Sequence, residues 1–425
     1  MSPVAEIKDL YLSEFERLEK SLPGLRDVRR RAIERFAQSG FPTGREEAWR
    51  FTDLTPVIET PFRIPESEAN LSEVESLAGG PLSAAQLVFV DGRFIPSLST
   101  SPAGIVAESL ARSLETSSYE ADLSLEDGHV FSALNAAFAV DGAVVRIPRG
   151  TSLAAPLHLL FLSTTREEPF VVYPRIRMTA EEGASVSVVE SYVGGTGPHL
   201  TDAVVEVRLG DGASVRWCKL QHEGAEAYHV ASIGVRLGRN STFLSHSISL
   251  GAAISRNDLS VRLAGEGAEC SLDGLYELTG GQLSDHHTTI DHAAPHGTSR
   301  ELYKGILDGR SRGVFDGRIL VRPEAQKTNA VQTNKNLLLS DGALVNTKPQ
   351  LEIFANDVKC KHGATIGKLD PDVLFYLRSR GIGSGEARRL LIHAFACEVL
   401  DGIPIGAVRE QLERYVLDLV ARKGG

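Results

Sequence analysis

Two side chains near the end of the strand-rich part of the sequence, Cys360 and His362, have the chemistry of metal ligands. Thiolate and imidazole suit iron, zinc and copper at neutral pH. A spacing of two on an extended segment turns both side chains to one face, so they can share a ligand sphere. Two ligands do not complete a metal site, and the others must come from elsewhere in the fold or from a partner. The competing interpretation is a buried cysteine beside a hydrogen-bonding histidine.

A second group of candidate ligands lies in the histidine-rich run over 285–305, which holds four of the 12 histidines. If the group binds a metal, histidines and aspartates would share the site. Alternatively, strand alternation separates neighbouring histidines and a turn over 293–295 separates the rest. No spacing here matches a familiar zinc motif. The candidates are His286, His287, His292, His296, Asp285 and Asp291.

Two further candidates are weaker. Lys304 and Arg318, in the segment from Tyr303 to Arg318, are either an anion site or solvated strand charges. Asp308 and Asp316 could be the paired carboxylates of a glycoside hydrolase. Each of these aspartates precedes a glycine, which predicts a turn instead. No phosphate-cradling loop occurs, so nucleotide hydrolysis by this chain is not expected.

Short strands recurring at a nearly constant interval must position these residues. GASV at Gly183 is echoed at Gly212, Asn240 and Gly267, so positions 183, 212, 240 and 267 are 29, 28 and 27 residues apart. Fainter echoes begin at 311 and 342. A repeat of this length, with two or three short strands in each unit, predicts stacked coils that bury one continuous core.

We therefore expect a mainly β protein with a right-handed, β-helix-like solenoid of parallel or mixed strands, flanked by α-helical domains. The predicted divisions are an N-terminal helical domain and linker over 1–85, an α+β segment over 86–142, the solenoid over 143–367 and a C-terminal helical domain over 368–425. A large sandwich or a double-stranded barrel is the alternative. The C-terminal helices are expected to cap the open end of the solenoid and to offer surface to a partner.

Composition excludes several classes of function. The formal net charge is −10 and the longest basic run is the trio at 29–31, which argues against a nucleic-acid-binding protein. The chain has four cysteines and no CxxC motif. This pattern argues against a framework of disulfides and is typical of a protein in a reducing compartment. The first residues are charged, and no apolar run reaches the roughly 18 residues of a membrane helix. We expect a soluble, cytoplasmic protein that binds neither nucleic acid nor membrane.

Three stretches in the last third carry a resemblance to a known family. They are YKGILDGRSRGVFDGRILV over 303–321, AQKTNAVQTNKNLLLSDGALVNTKPQLEIFANDVKCKHGATIG over 325–367 and LFYLRSRGI over 374–382. They resemble the SufB/SufD family of iron–sulfur cluster assembly proteins. REEAWRFTDL over 45–54 and DVKCKHGATIG over 357–367 resemble the SufD branch. The resemblance is weaker in the strand-rich body but covers nearly the whole chain.

The resemblance implies a scaffold subunit of a SufB–SufC–SufD complex. It implies pairing with SufB through the solenoid end near 340–367 and binding of the SufC ATPase through the C-terminal helices over 368–425. An iron–sulfur cluster would form transiently at the interface with SufB, with His362 as the family's interface histidine and Cys360 as an auxiliary ligand. Where SufB carries a cluster-receiving cysteine, this chain has Lys335 or a neighbour. A homodimer is expected in the absence of SufB, since an exposed solenoid edge favours covering.

Three functions compete at this level. The first is a non-enzymatic scaffold in which His362 and Cys360 are transient ligands. The second is a purely structural partner of SufB with no ligand role. The third is a carbohydrate-active β-helix enzyme, which predicts a groove rich in carboxylates and aromatic rings. Aromatic residues make up only 6% of the chain, so the enzyme ranks last.

Overall fold

A computed structural model describes residues 3–65, 73–74, 82–83, 85–115 and 130–422. Much of the predicted linker before residue 85 lies outside these ranges. In the described residues, twenty strands form two ten-stranded sheets. From β8 (Ser185–Gly194) onward, consecutive strands alternate between the sheets, and from β9 (His199–Leu209) onward each pairs in parallel with the strand two places earlier. The result is the predicted β-solenoid, with about eight turns and two strands in each coil.

Sheet I ends at β20. Its strands, in spatial order, are β2 (Arg93–Phe94), β1 (Ala85–Val90), β5 (Leu157–Ser163), β8 (Ser185–Gly194), β10 (Ser214–Glu223), β12 (Thr242–Gly251), β14 (Glu269–Leu278), β16 (Thr298–Leu307), β18 (Asn329–Leu338) and β20 (Lys359–Gly367).

Sheet II ends at β19. Its strands, in spatial order, are β19 (Leu344–Ile353), β17 (Arg312–Val321), β15 (Leu283–His292), β13 (Ile254–Leu263), β11 (Tyr228–Leu237), β9 (His199–Leu209), β7 (Arg175–Ala180), β4 (Gly142–Ile147) and β3 (Val106–Ser109), with β6 (Phe170–Val172) paired to β9.

The repeat in the sequence marks the turn before each strand of sheet I. Gly183, Gly212, Asn240 and Gly267 have left-handed backbones, with φ of 67°, 66°, 50° and 69°. At the next two coils the same conformation falls on His296 and Lys327, with φ of 61° and 64°. Glycine and asparagine adopt this conformation readily and other residues do not, so the repeat fades where they are replaced. The fainter echoes at 311 and 342 belong instead to the turns before β17 and β19.

Helices pack on the outer face of each sheet. Hydrophobic side chains on the N-terminal helices pack with Leu200, Val230, Ile254 and Leu283 on the outside of sheet II. The described α-helices are α1 (Pro3–Leu18), α2 (Arg26–Ser39), α3 (Thr55–Glu59), α4 (Leu110–Glu115), α5 (Val130–Phe138), α6 (Pro371–Ser379), α7 (Ser384–Leu400) and α8 (Gly406–Arg422). None of the described helices is long and apolar enough to cross a membrane.

The C-terminal helices do not cap the solenoid, contrary to the sequence-based expectation. Side chains of α7 and α8, including Ile392, Ala396 and Val408, pack with outward-facing residues of sheet I such as Leu275 and Leu302. Helix α6 buries none of its residues. An amphipathic pattern shows which face of a helix is buried but not which surface it packs against. The sequence therefore does not tell whether these helices cover the outer face of a sheet or the end of the solenoid.

Candidate metal half-site at the open end of the solenoid

The last coil of the solenoid has no described element stacked on it. Strands β19 and β20 end sheets II and I, and each is paired on one side only. Their backbone groups on the outer edge are therefore available to a further strand. Large apolar side chains are exposed beside these edges: Leu344 (53%), Ile353 (40%), Phe354 (61%) and Ile366 (49%).

Cys360 and His362 lie on β20 at this open end. In the register of the sheet, Cys360 is opposite Ala330 and His362 is opposite Gln332 on β18. Cys360 is half-buried and packs against the hydrophobic core, whereas His362 is exposed. Because the two residues are separated by one, they belong to the same face of the strand. A Cβ added at Gly363 would meet no atom within 4 Å, so the opposite face of the strand is also open at this point.

The chemistry of this pair is that of an incomplete metal site. Burial raises the pKa of the Cys360 thiol, so the free side chain is protonated at neutral pH and binding of a metal would have to displace the proton. Among the described residues, no group of three or more His, Cys, Asp and Glu side chains is arranged to hold a metal ion. Cys360 and His362 can thus offer one thiolate and one imidazole, and a metal held by them would need further ligands.

A buried polar pair lies directly beneath His362 in the stack of strands. Gln332 is opposite His362 on one side and Glu301 of β16 on the other. Nε2 of Gln332 donates a hydrogen bond to Oε2 of Glu301 at 2.7 Å, and both residues are 1% exposed. Burial raises the pKa of Glu301 to about 7. Neither residue could be predicted as a site residue, because nothing in the sequence marks which glutamate lies in the core.

The histidine-rich run does not form a single site. His286 faces the core, where it contacts Ser284 at 2.9 Å and burial lowers its pKa to about 3. His287 lies on the opposite face, with Nε2 at 2.9 Å from Oδ1 of Asp285. His292 ends β15 and contacts Ser299, while His296 is in the following turn. Strand alternation and the turn therefore separate the histidines, as the alternative interpretation predicted.

Asp285 and Arg256 form a buried network that anchors the N-terminal segment. Arg256, which is 0% exposed, has Nη1 at 2.5 Å from Oδ2 of Asp285 and also bonds Asp258. The Arg256 guanidinium lies 3.7 Å from the centroid of the Trp49 ring, and Thr52 donates to Asp285 at 2.5 Å. Trp49 and Thr52 belong to the REEAWRFTDL segment, so this network attaches that segment to sheet II.

Lys304 and Lys335 both contact helix α7. Nζ of Lys304 donates to the Phe395 carbonyl at 2.5 Å and to Glu398 at 2.7 Å. Lys335, at the position compared with the SufB cysteine, contacts the same Glu398 at 2.9 Å. Lys304 therefore holds helix α7 against sheet I and is not part of an exposed anion site. Arg318, its partner in that hypothesis, instead lies on sheet II and pairs with Glu352 at 3.4 Å.

The candidate carboxylate pair is also separated. Asp308 is in the turn after β16, as predicted, but Asp316 lies within β17 and accepts from Gln350 at 2.8 Å. The prediction of a turn at Asp316 was wrong, because pairing with β15 and β19 keeps this Asp-Gly step extended. Asp316 is four residues into β17, about 13 Å along the strand from its start. Asp308 thus lies in a turn at the end of a coil and Asp316 well inside a strand, bonded to Gln350, which is not the arrangement expected of a glycosidase pair facing each other across a substrate.

Comparison with known proteins identifies the family. A family model described as the SUF system FeS cluster assembly, SufBD core domain, matches residues 161–395, and one for the SufBD protein N-terminal region matches residues 1–159. The chain belongs to the SufBD family. The resemblance of its motifs to SufB and SufD is thereby confirmed.

Individual relatives place the similarity within this family. The chain is 37% identical over 393 residues to an iron–sulfur cluster assembly SufBD family protein of Synechocystis, covering 88% of this chain and 86% of the relative. It is 33% identical over 391 residues to the iron–sulfur cluster assembly protein SufD of Escherichia coli, covering 89% of each. The SufD of Bacillus subtilis is 30% identical over 293 residues, covering 67% of this chain and 66% of the relative. The chain is therefore a SufD homologue in iron–sulfur cluster assembly.

Proposed function

We propose that this chain is a non-enzymatic scaffold subunit of a SufB–SufC–SufD complex, with Cys360 and His362 contributing to a transient iron–sulfur cluster site shared with SufB. The observation that carries the proposal is the position of these two ligands on β20, an edge strand at the uncovered end of the solenoid. A half-site placed at an interface is useful only when a second chain completes it.

Pairing with SufB would continue both sheets. Strand addition to an exposed edge gives backbone hydrogen bonds, and neighbouring side chains give specificity. The exposed Ile353, Phe354 and Ile366 beside β19 and β20 supply apolar surface that a partner would bury. The same edge supports a homodimer when SufB is absent, because a second copy of the chain offers an equivalent strand.

The ligands fit a cluster that must be released. An assembly scaffold must pass its cluster on to other proteins. How firmly a cluster is held depends on its ligands and on the hydrogen bonds around them. One cysteine and one histidine from this chain, completed by ligands from SufB, would hold the cluster less firmly than four thiolates. This division of ligands between two chains also allows separation of the chains to release the product.

The C-terminal helices are the proposed site for the SufC ATPase. Helix α6 exposes Val373 (39%), Phe375 (72%) and Tyr376 (56%), and α7 exposes Leu390 (47%). Several exposed large apolar side chains on neighbouring helices favour a protein-binding surface. Because Lys304 and Lys335 tie α7 to β16 and β18, movement of these helices on ATP binding would reach the strands next to β20. We also infer a cytoplasmic location, since free thiols and a nascent cluster require a reducing compartment.

A purely structural role is the second candidate. The apolar surface and the strand edges favour pairing whether or not Cys360 and His362 bind iron. In that role the chain would stabilise SufB and recruit SufC only.

Reconstitution of the complex tests the proposal. The chain is mixed with its cognate SufB and SufC, and native mass and visible absorbance are recorded after anaerobic addition of iron and sulfide. We expect a stable complex whose charge-transfer absorbance develops only when both solenoid subunits are present. A chain that stays alone and colourless in the mixture would overturn the proposal.

A further inference from the structure

Gln332, which lies opposite His362 on the neighbouring strand, has one hydrogen-bonding atom without a partner. Gln332 donates through Nε2 to Glu301, in the coil beneath it. Its Oε1 is buried and has no hydrogen-bond partner. A buried acceptor without a donor is costly, so its partner is expected nearby. The residue of the next coil in this register is His362, whose exposed side chain would have to turn inward to reach this oxygen.

The packing around Gln332 holds its amide in one orientation. A Cβ added at Gly317, on β17 of sheet II, would overlap the Gln332 amide nitrogen, so the glycine makes room for this side chain. Glu301 fixes the nitrogen on the side of the preceding coil. Because the nitrogen is used by Glu301, the amide oxygen is the group of Gln332 that remains for a donor on the other neighbouring strand, β20, which carries His362.

We propose that Gln332, held in place by Glu301, is a positioning residue that accepts a hydrogen bond from one ring nitrogen of His362 and so leaves the other nitrogen free for iron. The proposal rests on the ligand role of His362 put forward above. A neutral imidazole carries one proton on either of two nitrogens, and only the unprotonated nitrogen can bind a metal. A hydrogen bond to the second nitrogen commonly selects the tautomer and ring orientation of a metal-binding histidine.

The arrangement also explains why polar residues occupy this part of the core. In the stack of strands Glu301 lies opposite Leu272, a member of the main hydrophobic cluster, and an apolar pair in place of Glu301 and Gln332 would satisfy packing. A role in orienting His362 gives these two polar side chains a function that packing alone does not require.

The tautomer of His362 can be measured in the full chain without iron or SufB. The chain is labelled with 15N-histidine, and long-range 1H–15N spectra are recorded at pH 8 and at a concentration where it is monomeric. The His362 signals are assigned with His362→Gln. In Gln332→Met, which keeps the volume and removes the acceptor, we expect the ratio of the two tautomers to change about fivefold, as loss of one ordinary hydrogen bond allows.

Two further variants separate positioning from general disruption of the core. Glu301→Gln keeps an acceptor for Nε2 of Gln332 and is expected to preserve the tautomer ratio, whereas Glu301→Leu is expected to change it in the direction of Gln332→Met. Asn334→Leu is the matched control, since Asn334 is also buried on β18 but lies opposite Ala364 and bonds the Tyr303 carbonyl at 3.2 Å. It is expected to leave the His362 signals unchanged.

The results distinguish this inference from the proposed function. Unchanged His362 signals in Gln332→Met, or an equal change in Asn334→Leu, would overturn the positioning role even if cluster assembly with SufB proceeds. If Gln332→Met does not fold, the contrast between Glu301→Leu and Glu301→Gln decides in the same way. A changed tautomer ratio in a chain that never assembles a cluster would uphold the hydrogen bond and reject the ligand role.

Discussion

Glu301 links stability to pH close to the candidate half-site. Its carboxyl has an ordinary pKa of 4.5, which burial raises to about 7 in the folded chain. The folded state therefore keeps a proton that the unfolded state releases, and stability falls as pH rises from about 4.5 to about 7. Below about pH 4.5 the raised pKa does not change the free energy of unfolding, and above about pH 7 the full destabilisation is present.

Replacing Glu301 by Gln removes this titration and keeps a partner for Gln332. We expect Glu301→Gln to gain about 2 to 3 kcal/mol relative to the wild-type chain between pH 5 and pH 8. Urea unfolding of both proteins at the two pH values measures the gain. An identical pH dependence in both proteins would show that Glu301 is ionised in the folded chain at neutral pH or does not titrate in this range.

Arg256 is the residue whose loss should most weaken attachment of the N-terminal segment. Arg256→Ala leaves the Asp285 carboxylate buried with less compensation and removes the contact with Trp49, so we expect a loss of about 3 to 5 kcal/mol of unfolding free energy. Arg236→Ala is the control, because Arg236 is an exposed arginine on β11, and its effect should stay within about 0.5 kcal/mol. Similar unfolding midpoints for the two variants would contradict the importance of the network.

Residue-scale predictions from the sequence succeeded where neighbours in the chain decide the outcome. The separation of His286 from His287 follows from strand alternation, as does the shared strand face of Cys360 and His362. The Arg256 network was missed because its contacts with Ala48 and Thr52 join residues more than 200 positions apart. The Glu301–Gln332 pair was missed for a similar reason, since it joins different coils. The ligand role of Cys360 and His362 remains a prediction.

At the scale of elements, the left-handed turns before the strands of sheet I set the register of the coils. Gly267 has a φ of 69°, and a Cβ added there would collide with the side-chain oxygen of Asn240 in the preceding coil. Gly267→Ala is therefore expected to cost about 1 to 3 kcal/mol, from backbone strain together with the collision.

The matched control for this turn is Gly281→Ala. Gly281 lies in the turn before β15, has no left-handed φ, and has no atom within 4 Å of an added Cβ. Thermal unfolding of the two variants should show a clearly lower midpoint for Gly267→Ala only. Equal midpoints would mean that the turn relaxes without cost.

The elements themselves were partly predictable. The interval between glycine turns predicted the coils. The start of α6 also has a local signal, since Asp370 is followed by Pro371 and accepts a hydrogen bond from the backbone of Asp372 at 2.8 Å. At two later turns His296 and Lys327 occupy the left-handed position in place of glycine or asparagine. The sequence repeat cannot be recognised there, although the coils continue. The docking of α7 on sheet I depends on contacts such as Lys304 with Glu398, which no local pattern shows.

The whole molecule leaves one end of the solenoid uncovered in its described part. N-terminal helices cover part of sheet II and C-terminal helices cover part of sheet I, so both helical units lie on the flanks. The strand edges of β19 and β20 and the pair Cys360 and His362 then occupy the same end. This coincidence of a pairing surface with two metal-ligand side chains is the central reason to expect a site shared with SufB.

Replacement of His362 in the intact complex tests that claim most directly. His362→Ala is compared with Lys361→Ala, an exposed neighbour on the opposite face of β20, in complexes with SufB and SufC verified by native mass. After anaerobic addition of iron and sulfide, we expect His362→Ala to lose most of the charge-transfer absorbance and Lys361→Ala to keep it. If the His362→Ala complex is intact and gains the wild-type absorbance, the ligand role is wrong and the purely structural role stands.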